Sequence, residues 1–170
     1  ASKVRGDMAS QVVFTDHTFD DLSIERDILA EVDADLIDGE SRDEPLEELV
    51  RDAEGLIVMY DEIDESVVDA MPDCRVISRT GIGVDNVALD AATDRGIVVT
   101  NVPDYCIGEV ADHTVALLLA LQRKVVFYDD QVRAGEWDVA AGRPMHRLGE
   151  QTLGLVAFGD IARAVGERAD

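Results

Sequence analysis

SRTGIGVDN, from Ser78 to Asn86, follows an apolar run and precedes the helix-like stretch DNVALDAATDRG. Gly81 and Gly83 bracket one residue, so successive backbone N–H groups are free to turn inward. Glycine tolerates positive φ, and that conformation makes an anion-binding nest. Arg79 stands two residues before the first of these glycines. A guanidinium beside a nest suits a carboxylate, which accepts the Arg fork in bidentate fashion. A plainer account of the same residues is a strand-to-helix turn with a solvated Arg, and short Gly motifs recur by chance.

On both sides of this loop, strand-like and helix-like stretches alternate. VVFT (12–15), ADLID (34–38), GLIVMY (55–60), RVISR (75–79) and 97–100 are short runs rich in β-branched or apolar residues, hence strands. Residues 22–32 place Leu22, Ile24, Ile28, Leu29 and Val32 at helical spacing, with Ser23 as a candidate cap. Residues 45–53 open on Pro45, which suits a first helical turn. Residues 66–71 end before Pro72, and 87–95 stop at Gly96. This alternation predicts a parallel sheet covered on both faces. Ligands of such sheets sit at the carboxyl ends of strands, which is where the 78–86 loop and Tyr60 fall.

The rhythm breaks after Thr100. Residues 107–132 carry one long helical pattern or two joined ones, and VALLLAL (115–121) is expected to be a buried helix face. Val115, Leu118, Leu119 and Val126 mark that face. Residues 134–147, which hold Trp137, look irregular. TLGLVAF (152–158) then predicts a strand, Gly159 a tight turn, and Ile161 onward a helix.

Composition narrows the function. The chain has 170 residues, with 37 Asp+Glu against 15 Lys+Arg and a formal charge of −22. Such a chain has little with which to replace counterions along a nucleic-acid backbone, and it suits an anionic membrane surface no better. Disorder is not expected, because 46% of residues are hydrophobic and fall in regular blocks. An acidic, lysine-poor, folded chain suggests a halophile, where self-repulsion is screened over only ~3 Å at roughly 1 M salt. Cys74 and Cys106 are too few for a disulfide framework, which suggests reduced thiols in a cytoplasmic protein. No apolar run approaches the ~20 residues of a membrane span, and no metal-ligand set is expected. Residues 1–10 are expected to be a disordered lead-in without the apolar core of a signal peptide.

Three stretches taken together are highly specific: the R-x-G-x-G-x-D-N of 79–86, the G-I-x-V-x-N-x-P of 96–103, and the turn in QTLGLVAFGDIARAVGER (151–168). In this order and spacing, over nearly all of the chain after about Val12, they resemble the D-isomer-specific 2-hydroxyacid dehydrogenase family. That family includes D-3-phosphoglycerate dehydrogenase, glyoxylate reductases and the C-terminal binding proteins. The resemblance implies a flavodoxin-like parallel-sheet substrate domain over 11–100. A linker helix and the first strand-turn-helix of a Rossmann domain that binds NAD, with NADP left open, would follow over 101–170. It implies a small 2-hydroxy or 2-keto acid as substrate and a homodimer as assembly. Arg79, Gly81, Ile82 and Gly83 match the substrate-carboxylate loop, with Ile82 also near the nicotinamide and Tyr60 close by.

Val110 matches a helix position that touches the cofactor, and Phe158, Gly159, Asp160 and Ile161 match the pyrophosphate turn. Of the fingerprint's three glycines only the central one is kept, as Gly159; Ala157 and Ala162 take the other places. Asp160 stands where relatives usually have Arg. GLIVMY resembles the C-terminal-binding-protein branch, since the phosphoglycerate branch has an Arg-Ser pair where Met59 and Tyr60 stand. No residue here matches the family's catalytic Arg, Glu and His, which lie later in relatives. The 170 residues alone are therefore expected to be inactive. The alternative role is a cofactor-sensing, corepressor-like binding module without turnover.

Overall fold

The computed structural model describes residues 9–41 and 43–170. Five short strands build the first unit, which runs to Tyr105. They are β1 (Ser10–Phe14), β2 (Ala34–Asp38), β3 (Gly55–Val58), β4 (Val76–Arg79) and β5 (Val98–Thr100). All pair in parallel, in the order β2-β1-β3-β4-β5. This is the flavodoxin-like order, in which the chain winds one way from β1 and then the other. The lead-in expected over 1–10 lies outside the described residues except for Ala9 and Ser10, and Ser10 already pairs with Ala34.

Strand alternation divides the core between the two faces. Val13, Leu56, Val58 and Ile77 lie on one face with Val50, Val67, Val68 and Met71. Phe14, Leu36 and Leu22 fill the other. Side chains this buried each contribute roughly 1.5–3 kcal/mol relative to exposure. The crossovers are α1 (Ser23–Ala30), α2 (Leu46–Leu49), α3 (Glu65–Ala70) and α4 (Leu89–Asp94).

Several ends differ from the sequence expectation. Ser23 does not cap α1; the Asp21 carboxylate accepts the Ser23 N–H at 3.1 Å instead. Along α1 only Leu22 and Leu29 reach the core, while Ile24, Ile28 and Val32 stay exposed. Asp64 caps α3, accepting the N–H groups of Ser66 and Val67 at 2.8 and 3.0 Å. After α4, Gly96 adopts φ +72, and the Ile97 N–H reaches the Ala92 carbonyl at 2.8 Å. That left-handed helix stop is one glycine tolerates freely.

The second unit, Cys106–Asp170, is helical. The long pattern is two helices, α5 (Ile107–Gln122) and α6 (Val125–Arg133), separated by Lys124 at φ 55. A short 3-10 turn (Leu148–Glu150) and α7 (Asp160–Ala169) follow. The strand expected over 152–158 is not formed. A strand exists only in a ladder, and no described strand pairs with this segment, whereas α7 closes its own hydrogen bonds. Nor is VALLLAL a buried face: Leu117, Leu119 and Leu121 are exposed, and Val115 and Leu118 only partly covered. No helix among the described residues is long and apolar enough to cross a membrane.

Candidate functional site

Arg79 closes β4, opposite Val58 of β3, so its side chain starts at the carboxyl edge of the sheet. Its Nε is buried and has no hydrogen-bond partner among the described residues. A buried donor left unpaired costs stability, so Nε is placed to take an acceptor from outside the chain.

The glycines beside it serve a purpose different from the expected one. Neither Gly81 nor Gly83 has positive φ; among the described glycines only Gly96 and Gly135 do. No nest of that kind forms. Gly81 instead makes room, because a Cβ there would lie 1.3 Å from Nη1 of Arg79 and 2.4 Å from its Cζ. The guanidinium thus folds back over a bare backbone.

The loop is held from both sides. The Gly81 carbonyl accepts the Val102 N–H at 3.0 Å, and the Ile82 carbonyl accepts Nδ2 of Asn101 at 2.8 Å. In a trans peptide C=O and N–H point in opposite directions. The N–H groups of Ile82 and Gly83 therefore face away from residues 101–102, and they donate to nothing among the described residues. Tethered carbonyls thus leave two amides free on the side of the loop away from residues 101–102. On the other flank, Asn86 Nδ2 donates to the Asp61 carbonyl at 2.8 Å, and the Ile63 N–H donates to the Asn86 carbonyl at 2.8 Å.

Tyr60 follows β3 at the same edge, with its ring exposed. Its N–H and that of Met59 donate to the Asp16 carboxylate at 2.7 and 3.0 Å. Thr15 donates its hydroxyl to Asp16 at 3.0 Å. Burial, then the neighbouring Asp16 charge, raise the Asp61 pKa; the Thr15 hydroxyl opposes them, and Glu40 adds to the rise. Asn86 and Asn101 stand in the sequence motifs of 79–86 and 96–103, whereas Asp16 lies outside them. Asp16 had one usable signal: it follows a β-branched run at the carboxyl end of a strand, where such sheets place their sites.

The second set of residues lies in the second unit. Val110 is partly exposed on α5, near the point where Arg168 of α7 pairs with Asp112 and reaches the Gly108 carbonyl. At the turn, Phe158 is exposed and Gly159 precedes α7, whose first N–H groups have no side-chain cap. Ala157 adopts φ 67. The backbone there keeps the left-handed conformation that suits glycine, although the residue is alanine. Asp160 pairs with Arg163 at 3.3 Å, and the Arg163 guanidinium lies 6.0 Å from the Phe158 ring centroid. The negative charge of Asp160 is thus met by a cation. An uncapped helix N-terminus after a left-handed turn fits a pyrophosphate. His17, by contrast, is structural: its ring is almost fully buried, Nε2 lies 3.2 Å from Asp38, and Nδ1 accepts the Phe19 N–H.

Known proteins resemble this chain in sequence and fold. The profile of the D-isomer specific 2-hydroxyacid dehydrogenase catalytic domain matches residues 12–164. A glyoxylate reductase of Pyrococcus furiosus is 41% identical over 140 residues, 76% of this chain and 42% of that protein. One from Korarchaeum cryptofilum is 42% identical over 127 residues, 72% of this chain and 38% of that protein. The chain thus spans about two fifths of these curated relatives. Among solved structures, D-lactate dehydrogenase of Aquifex aeolicus complexed with NAD and lactic acid superposes with TM-score 0.82 at 26% identity, covering 93% of this chain and 47% of that one. The NADPH-dependent glyoxylate/hydroxypyruvate reductase of Sinorhizobium meliloti, in complex with NADP and malonate, gives 0.74 at 30%, covering 94% and 50%. The relatives named here are reductases and a lactate dehydrogenase, and none of them bears on the likeness to the C-terminal-binding-protein branch expected from Arg79 and the end of β3. With its profile match, its curated relatives and its sheet order in agreement, the chain belongs to the D-isomer specific 2-hydroxyacid dehydrogenase family.

Proposed function

We propose that these residues form the substrate-binding part of an NAD(P)-dependent oxidoreductase that interconverts a small D-2-hydroxy acid and its 2-keto acid. The observation that carries this reading is the 79–83 loop, where a buried, unpartnered Arg79 Nε adjoins the free N–H groups of Ile82 and Gly83. Arg79 and these amides hold the substrate carboxylate and orient the carbonyl carbon. The turn at Phe158, Gly159, Asp160 and Ile161, with Val110 on α5, holds the cofactor pyrophosphate through the first N–H groups of α7. When bound, the nicotinamide supplies or accepts the hydride. The acid/base pair is not among these residues, so the 170-residue chain alone binds without turning over. The names of the curated relatives favour glyoxylate and similar short keto acids. The exposed apolar residues Leu117, Leu121 and Trp137 favour a homodimer, and the two free thiols suit a reducing cytoplasm.

Arg79→Ala in the full-length enzyme tests the reading. A charge-assisted contact is worth ~1.5–3 kcal/mol, so kcat/KM for the keto acid is expected to fall by roughly tenfold to a hundredfold. NADH affinity, measured by fluorescence, is expected to hold. Unchanged kcat/KM would remove Arg79 from the site.

A further inference from the structure

We infer that Asp16 is a positioning residue for the carboxylate loop; this rests on the reading of the 79–83 loop as the substrate site. The β1–β3 ladder ends at Phe14 opposite Ile57, and the Thr15 N–H makes the last backbone bond, to the Ile57 carbonyl. Beyond that point the Asp16 side chain takes over from the backbone. One oxygen accepts the Met59 N–H at 3.0 Å and the other accepts the Tyr60 N–H at 2.7 Å, across 43 and 44 residues of chain. The Thr15 hydroxyl adds a third donor at 3.0 Å. No cation among the described residues pairs with this carboxylate. It is satisfied instead by two consecutive backbone amides, which fixes the position and direction of the segment just after β3.

That segment leads directly to the substrate loop. The Asp61 carbonyl, next after Tyr60, receives Nδ2 of Asn86. Asn86 returns its own carbonyl to the Ile63 N–H, and Ile63 accepts the Ala88 N–H at 2.8 Å. Ile63 and Val87 form a β-bridge at the same place. Asp16 thus braces the 59–63 segment, and that segment holds the C-terminal flank of residues 81–86. The other flank is held by Asn101 and Val102. If the brace slackens, the Ile82 and Gly83 amides lose one of their two fixed supports, while the turn at Phe158 to Ile161 keeps its own.

Asp16→Asn in the full-length enzyme is the direct test. It keeps the side-chain shape but sets an NH2 group against one backbone N–H. KM for glyoxylate is expected to rise roughly five- to twentyfold, with kcat within about twofold and NADH affinity unchanged. A merely structural role would lower the active fraction, so kcat would fall at constant KM; that result, or an unchanged KM, overturns the proposal. If Asp16→Asn does not fold, Thr15→Val, which removes only the hydroxyl donor, is expected to raise KM by roughly two- to threefold, and an unchanged KM again overturns it. If the wild-type enzyme turns over no 2-keto acid, the dehydrogenase reading falls separately. Amide NMR then decides the brace: the Ile82 and Gly83 signals move in Asp16→Asn if it holds, and their identity with wild type refutes it.

Discussion

The two units use the same amino acids in opposite ways. The first carries 27 acidic and 8 basic side chains and the second 10 and 7, so nearly all of the −22 charge belongs to residues before Cys106. The first unit also holds nearly all of the buried core; in the second only Ala111 and Val165 are buried among the described apolar side chains. Charge repulsion is thus concentrated where the core is strong enough to oppose it. The helical unit, with little core, has near-balanced charge and local pairs such as Asp129–Arg133 at 2.6 Å and Asp160–Arg163 at 3.3 Å. A strong core carries surface charge whose cost depends on salt.

Salt should separate the units most. At ~0.1 M the Debye length is about 10 Å, so the first unit's carboxylates repel one another across its surface; near 1 M it is about 3 Å. Hydrogen exchange followed residue by residue is expected to show β1 to β4 losing protection as KCl falls from molar to tenth-molar, with α5 changing far less. Equal loss in both units would break the comparison.

Core truncation comes next. Ile77→Ala, in a strand with no exposure at that position, is expected to cost about 2–5 kcal/mol. Leu121→Ala, at 75% exposure, is expected to stay within about 0.5 kcal/mol. Urea titrations read both. A large loss at Leu121 would mean that its face is covered in solution, which would support the homodimer.

The alternation from β1 to β5 was legible because parallel strands buried on both faces read as short apolar runs, and turn residues separate them. What failed in the sequence reading was what depends on distant partners. TLGLVAF has strand composition, yet it lacks a described neighbour to pair with. The leucines of α5 have core composition, yet Leu117, Leu119 and Leu121 stay exposed. At Gly81 the sequence context suggests a φ requirement, and only the fold shows the Arg79 guanidinium lying where a Cβ would stand. Asp16 carries almost no signal, since the backbone amides it accepts from are more than forty residues away.

A smaller effect is expected at Ala157. An L-residue in the left-handed region costs ~1–2 kcal/mol, and glycine gives back part of that gain as unfolded-state entropy. Ala157→Gly is therefore expected to stabilise the turn by about 1 kcal/mol and to tighten NADH binding, as read by fluorescence titration. A loss of stability would show that the alanine side chain makes a contact worth more than the strain.

The smallest effect concerns pH and lies within the charged unit. Asp61 and Asp64 are three residues apart and shifted in opposite directions. Burial and the Asp16 charge raise the Asp61 pKa above 3.8. The Ser66 hydroxyl, then the Val67 N–H, lower that of Asp64. A raised carboxylate contributes stability below its unfolded pKa and loses it as pH rises through the folded value, so ionised Asp61 opposes folding at neutral pH. A lowered one contributes above the unfolded value and loses it as pH falls through the folded value, so ionised Asp64 supports folding at neutral pH. Asp61→Asn is expected to raise Tm at pH 7, with the gain vanishing as pH falls below 3.8. Asp64→Ala is expected to lower Tm at pH 7, with its pH-dependent part fading below 3.8. If both variants raise Tm at pH 7, net repulsion dominates over local contacts, and the acidity of the first unit acts as a diffuse field rather than through individual side chains.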